Sequence, residues 1–151
     1  MLKVTEETLD INAICNLVSS PSAGAISTFI GTTRNYTGKN KVKYLVYEAY
    51  HSMAISMMKK LAAEVEAKYD IEKIAIHHRI GKVDIEEASV VIAVSSGHRK
   101  PAIQACHYAI DRLKEIVPIW KKEFMEDGKE EWIANCTNCT HDHTAASSHT
   151  L

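Results

Sequence analysis

The segment Ser95-Ser96-Gly97-His98-Arg99-Lys100-Pro101 gathers more chemistry than any other stretch of the chain. An apolar run ends there and a helix is expected to begin at Pro101, so free backbone N–H groups and the positive end of the helix dipole would face an anion. His98, Arg99 and Lys100 add donors and charge, and an arginine grips phosphate through two parallel hydrogen bonds. The same residues also make an ordinary strand-to-helix turn with solvated basic side chains, and spacing alone leaves both readings open. Lys114 borders the apolar stripe of that helix beside Ile103 and Ile110. A lysine there either snorkels to solvent or points into a cleft, where burial near other cations would make it an acid, base or nucleophile. Lys121 follows just past Pro118, in Trp120-Lys121-Lys122-Glu123. Alternation puts Lys121 and Glu123 on one face and Lys122 on the other, where the simplest reading of Lys122 is an edge-strand lysine that blocks sheet-to-sheet pairing.

Two further constellations are weaker. Arg34 lies in Gly31-Thr32-Thr33-Arg34-Asn35-Tyr36-Thr37-Gly38, a loop of small and hydroxyl residues without the lysine spacing of a P-loop. Such a loop is either solvated or closes over a ligand. Cys136-Thr-Asn-Cys139-Thr-His141-Asp-His143 holds zinc-type ligands, but it is too compact for two separated ligand pairs and lies in a polar stretch, so no metal is expected. Neither a Ser-His-Asp arrangement nor an HExxH signature is legible. Residues alone therefore point to a phosphate-binding cleft with candidate lysines.

The elements that must position these groups follow from periodicity. Asp10 to Ser20 is an amphipathic helix capped by Asp10, and Ala23 to Thr33 and Val42 to Tyr50 are strands flanking the Arg34 loop. His51 to Tyr69 is a helix of four to five turns, with Met53, Met57, Leu61, Val65 and the neighbouring Ala54 and Met58 along one face. Ile71 to Ile80 and Ala88 to Ser96 are strands, the second nearly all apolar and therefore central, with Gly81 to Glu87 as a turn or short extra strand. The Pro101 helix runs to Pro118, Ile119 to Met125 is a strand, and Glu131 to Ala134 is a short strand or coil. This order gives an α+β fold with a mixed or largely antiparallel sheet.

Composition sets the outer bounds. The 151 residues, 46% hydrophobic and 25% charged, suit one globular domain over 1–134, followed by a polar tail over 135–151 that is expected to be disordered. A net charge of -1 supplies no global field for nucleic acid or an anionic membrane, so any anion must be held by a local cluster. No apolar run approaches the ~20 residues of a membrane span. The N-terminus lacks a signal-type apolar segment, and cytosol is the expected location. Cys15 and Cys106 lie among apolar residues as small core side chains.

Several separated motifs occur in order: Phe29-Ile30-Gly31-Thr32-Thr33-Arg34, Tyr47-Glu48-Ala49-Tyr50, His78-Arg79-Ile80-Gly81, Ser96-Gly97-His98-Arg99, Leu113-Lys114 and Val117-Pro118-Ile119-Trp120-Lys121-Lys122-Glu123. Over about residues 23 to 132 the chain resembles the MoaE family, the large catalytic subunits of molybdopterin synthase. The resemblance implies an α/β hammerhead-type fold with an added antiparallel β subdomain. It implies a sulfurtransferase of molybdenum cofactor biosynthesis that acts on cyclic pyranopterin monophosphate and needs no cofactor of its own. The expected sulfur donor is a small ubiquitin-like subunit with a C-terminal Gly-Gly thiocarboxylate, bound to a homodimer core in a heterotetramer. Carried onto this chain, the motifs make Lys114 and Lys121 catalytic. They place Thr32, Thr33, Arg34, His98, Arg99, Lys114, Lys121, Lys122 and Glu123 at the substrate, with His98 and Arg99 on its phosphate.

Overall fold

The computed structural model describes residues 1–134. The expected tail over 135–151, with its Cys136–His143 cluster, lies outside the described residues. Along the chain run β1 (Leu2–Thr5), α1 (Ile11–Leu17), β2 (Ala25–Thr32), β3 (Tyr36–Thr37), β4 (Asn40–Ala49), α2 (His51–Lys68), β5 (Lys73–Arg79), β6 (Gly81–Asp84), β7 (Ala88–Ser96), α3 (Arg99–Ile116), β8 (Ile119–Met125) and β9 (Glu130–Ala134). The Asp10 side chain accepts the Ala13 N–H at 3.0 Å, the cap expected for α1. β1 and β3 are additions to the expected order, and each is too short for alternation to register.

The first sheet has the order β1-β5-β7-β2, with β1 parallel to β5 and the other pairs antiparallel. α2 and α3 cover one face, burying Ile74, Ile76, Val90, Ile92 and Val94 against Met58, Leu61, Val65, Ala105, Ala109 and Leu113. α1 covers the other face, where Ile14 and Val18 pack with Ala75, Val91 and Ala93. β7 is thus buried on both sides, which is why its sequence is continuously apolar rather than alternating.

The second sheet is antiparallel: β4 pairs with β8 along one edge and with β3 and β6 along the other, and β9 pairs with β8. The two sheets bear out the α+β reading with an added antiparallel subdomain. Two junctions tie them together. β5 passes into β6 through Ile80, and Gly81 turns the corner with φ of 82°, in the left-handed region that favours glycine. α3 stops at Val117-Pro118, and β8 starts immediately after. The first junction sets β6 against β4, and the second sets the last turn of α3 beside the start of β8.

A third close approach fixes the start of α3. Gly24 donates its N–H to the Ser96 carbonyl at 2.9 Å, and a Cβ at Gly24 would stand 2.5 Å from the Gly97 carbonyl oxygen. That neighbour is backbone and cannot rotate away. Gly24→Ala is therefore expected to lower stability by about 1–3 kcal/mol, the usual range for overpacking. Thermal denaturation checks this; an unchanged Tm would contradict the contact.

Candidate active-site cleft

A cleft of about 460 Å³ opens where the two sheets and α3 meet. β2 and the loop after it contribute Phe29, Ile30, Gly31, Thr32 and Arg34; β4 and β5 contribute Tyr47 and His78; β7 contributes Ser89 and Val90. Ile110, Leu113 and Lys114 come from the end of α3, and Lys121 from β8. Gly31 keeps the β2 wall thin, because a Cβ there would lie 2.7 Å from the Val90 side chain. A neighbouring depression of about 390 Å³ shares Phe29, Ile110 and Lys114 with the cleft and extends along α3 past Cys106 to Ile103.

Three cations thus share one cavity. The Val117-Pro118 stop converts the helical position of Lys114 into proximity with Lys121, and the loop after β2 brings Arg34 to the same place. Lys121 is largely buried, and desolvation pushes its pKa below the ordinary lysine value. Glu123, 3.9 Å away, opposes that shift, while Lys114 and Arg34 add to it. Glu123 is itself buried on the same face of β8; its Oε1 accepts the Thr37 hydroxyl at 3.0 Å, and its Oε2 has no partner among the described residues. The arrangement holds Lys121 close to a buried negative charge and two positive ones, so the lysine gives up its proton more readily than a solvated one.

The structure brings together Thr32, Arg34, Lys114 and Lys121, with Glu123 behind Lys121. It does not bring the other expected residues to this cleft. Thr33 is buried and serves as an anchor: its N–H donates to the Glu87 carbonyl at 3.2 Å, and its own carbonyl accepts from Glu86 N–H at 2.9 Å. Lys122 points to the opposite face of β8, paired with Glu130 and lying over the Phe124 and Trp132 rings. The expectation of an edge lysine also needs correction, since β8 lies between β4 and β9. His98 and Arg99 are exposed at the other end of α3, and the fifteen residues from Arg99 to Lys114 span about 22 Å at 1.5 Å per residue.

Tyr47, His78 and Ser89 line the cleft without having been assigned a role from the sequence. Their signal was in the alternation: His78 occupies the strand phase of Ile74 and Ile76, where a core side chain is expected. The corner at Gly81 sets the His78 ring edge-on to Tyr47, with centroids 5.1 Å apart. Burial raises the Tyr47 pKa, against the effect of Ser89. Burial also pushes His78 down to about 4, so its imidazole is neutral near pH 7. Cys106 is buried as expected and its thiol pKa is raised by desolvation, whereas Cys15 is only half-buried.

Residues 4–116 match the family described as MoaE protein. A Bacillus subtilis relative named molybdopterin synthase catalytic subunit is 50% identical over 133 residues, covering 88% of this chain and 84% of the relative. One of the same name from Dictyostelium discoideum is 46% identical and covers 91% and 89%. The chain belongs to the MoaE family. Membership places it among enzymes of molybdopterin biosynthesis. A solved molybdopterin synthase from Staphylococcus aureus superposes with a TM-score of 0.81 at 40% identity, over 86% of this chain and 94% of that one. A complex of subunits 1 and 2 of molybdopterin-converting factor from Helicobacter pylori has the same fold, with a TM-score of 0.71 at 21% identity, over 87% and 88%. The MoaE match takes in Arg34, His98, Arg99 and Lys114 but stops short of Lys121. Among the described residues no helix is long and apolar enough to cross a membrane, and no cluster of three metal-ligating side chains occurs.

The electrostatics of the cleft can be read directly by NMR titration of the lysine side chains. Lys121 is expected to lose its proton below the ~10.4 of an unperturbed lysine. Glu123→Gln should lower its midpoint further, because the one stabilising charge is removed, and Lys114→Met should raise it. A Lys121 midpoint at the ordinary value, unmoved by either change, would contradict the account.

Proposed function

We propose that this chain is the catalytic subunit of a molybdopterin synthase, transferring sulfur from a small partner's C-terminal thiocarboxylate to cyclic pyranopterin monophosphate. The observation that carries this reading is the convergence of Lys114, Lys121 and Arg34 in one cleft with a lysine of lowered pKa. The thiocarboxylate sulfur bonds to a substrate carbon as that carbon's bond to a phosphate oxygen breaks. Water then cleaves the thioester, leaving the sulfur on the substrate and a carboxylate on the donor. Negative charge develops on the departing phosphate oxygen and on the thioester carbonyl oxygen. Fixed cations lining a cleft, with Lys121 half-buried, stabilise such charge more than water does. Lys114, at the mouth shared by the cleft and the neighbouring depression, holds the thiocarboxylate and its tetrahedral adduct. Lys121 transfers a proton as the cyclic phosphate opens, and Thr32 and Arg34 contact the substrate from the β2 side.

The partner's tail enters along the depression between β2 and α3. Phe29 and Ile110 crowd the passage into the cleft. A Gly-Gly terminus has no side chains to obstruct, and its carboxyl end then arrives at Lys114. His98 and Arg99 hold the substrate phosphate, and with about 22 Å of helix between Arg99 and Lys114 they act on the cleft of a second copy. The functional unit is accordingly a homodimer with one small subunit at each end, and its site is assembled from two chains.

Single-turnover conversion of cyclic pyranopterin monophosphate, with thiocarboxylated small subunit and this protein, tests the proposal. Wild type is expected to form dithiolene product. Lys114→Ala should lose at least about a hundredfold in rate, the scale of removing one stabilising group, with unchanged thermal stability. Absence of product from wild type that binds both partners would instead mark a docking module without catalysis, and near-normal turnover by Lys114→Ala would remove that lysine from the mechanism.

A further inference from the structure

His78 sits on the cleft floor beside cations that cannot replace what it offers. Arg34, Lys114 and Lys121 only donate hydrogen bonds. The Ser89 hydroxyl is turned to the Gly31 carbonyl at 3.3 Å. His78 Nδ1 lies 2.7 Å from the Arg79 carbonyl oxygen, which can only accept, so Nδ1 carries the proton and the tautomer is set. The other ring nitrogen, Nε2, is then a lone pair; it is not among the buried polar atoms left without a partner, and no hydrogen bond to it is drawn from the described residues. It is the one imidazole acceptor among the described residues lining a cleft otherwise rich in donors.

A histidine kept for packing alone would have both nitrogens satisfied by protein or neither needed. Here one nitrogen is tied to backbone, the ring is braced by Tyr47, and the residue lines the cavity. Burial keeps the imidazole neutral, so it remains an acceptor despite three cations nearby and is too weak a base to take a proton from solvent at neutral pH. A phosphate group has no use for such an acceptor. A heterocycle with an amide-type N–H or an amino group does.

We propose that His78 is a specificity-determining residue of the cleft, its Nε2 accepting a hydrogen bond from the N–H edge of a pterin ring while the cations hold the ligand's negative charge. This rests on the proposed synthase reading and adds the group that selects the heterocycle. A ligand that covers this acceptor without offering it an N–H loses a hydrogen bond, which gives sharper discrimination than apolar contact alone.

Two variants separate this role from a structural one. In His78→Asn the side-chain amide N–H takes the place of Nδ1–H and keeps the bond to the Arg79 carbonyl, but nothing replaces Nε2. In His78→Gln the longer amide returns an acceptor to the cleft and gives up the backbone bond. Binding of biopterin, a phosphate-free pterin, and of inorganic phosphate is measured by calorimetry, together with Tm and single-turnover rate. The proposal expects His78→Asn to bind biopterin about tenfold more weakly, the loss of one hydrogen bond, with phosphate affinity and Tm unchanged, and His78→Gln to recover most of the biopterin affinity. Undiminished biopterin binding by His78→Asn, parallel loss of biopterin and phosphate that tracks Tm, or no biopterin binding by wild type would each overturn it. Wild-type turnover in the same preparations reports on the synthase reading separately, so the two can fail independently.

Discussion

Three like charges that line one cleft, the innermost of them half-buried, are the constraint around which this site is arranged. Arg34, Lys114 and Lys121 repel one another; the first two are exposed to solvent, and only at Lys121 does burial remove part of the water that would screen the charge. The structure offsets this with a single buried carboxylate: Glu123 stands behind Lys121, oriented by Thr37 from the β3 hairpin. That explains why a two-residue strand is retained at the edge of the second sheet, since it supplies the hydroxyl that fixes the counter-charge. The compensation is incomplete, and the remaining imbalance is what an anionic substrate and a negatively charged sulfur donor would relieve. A site that is electrostatically unsatisfied when empty is suited to binding charge that develops during a reaction.

The two junctions between the sheets do the positioning. Val117-Pro118 ends α3 abruptly enough for Lys114 and Lys121 to meet across it, and the Gly81 corner turns β5 into β6, which pairs with β4, so that His78 and Tyr47 form the floor beneath them. One wall of the cleft is therefore cationic and its floor neutral, a division that suits a ligand with a charged end and a heterocyclic body. The length of α3 has the opposite effect on His98 and Arg99. It carries the basic helix start about 22 Å from the lysines, so in the proposed reading a second copy brings the two groups to one substrate and dimerisation is a condition of catalysis.

Much of this was legible in the sequence because the relevant signals are local. Asp10 as a helix cap, the period of His51 to Lys68, the apolar run of Ala88 to Ser96 and the stop at Pro118 all follow from single-element chemistry, and each appears where expected. The alternation that separates Lys121 and Glu123 from Lys122 was equally readable, although it gave no sign that β8 is interior. β1 was not legible: four residues acquire strand character only by pairing with β5, a partner more than seventy positions away. Thr33 was misplaced for a related reason, since its burial depends on the β6–β7 turn at Glu86 and Glu87. The His78 floor required knowing which strand phase faces a cavity instead of the core, and that is decided by the packing of two sheets.

The central claim is that the lysine cleft of one chain works with the basic helix start of another. Mixing Lys114→Ala and Arg99→Ala proteins after subunit exchange, and assaying single-turnover sulfur transfer, tests it most directly. A site shared between copies predicts two inactive parents and recovery of about a quarter of the wild-type sites, since half the dimers are mixed and each mixed dimer has one intact site. No recovery from dimers shown to have exchanged would place both groups in the site of a single chain and contradict the account.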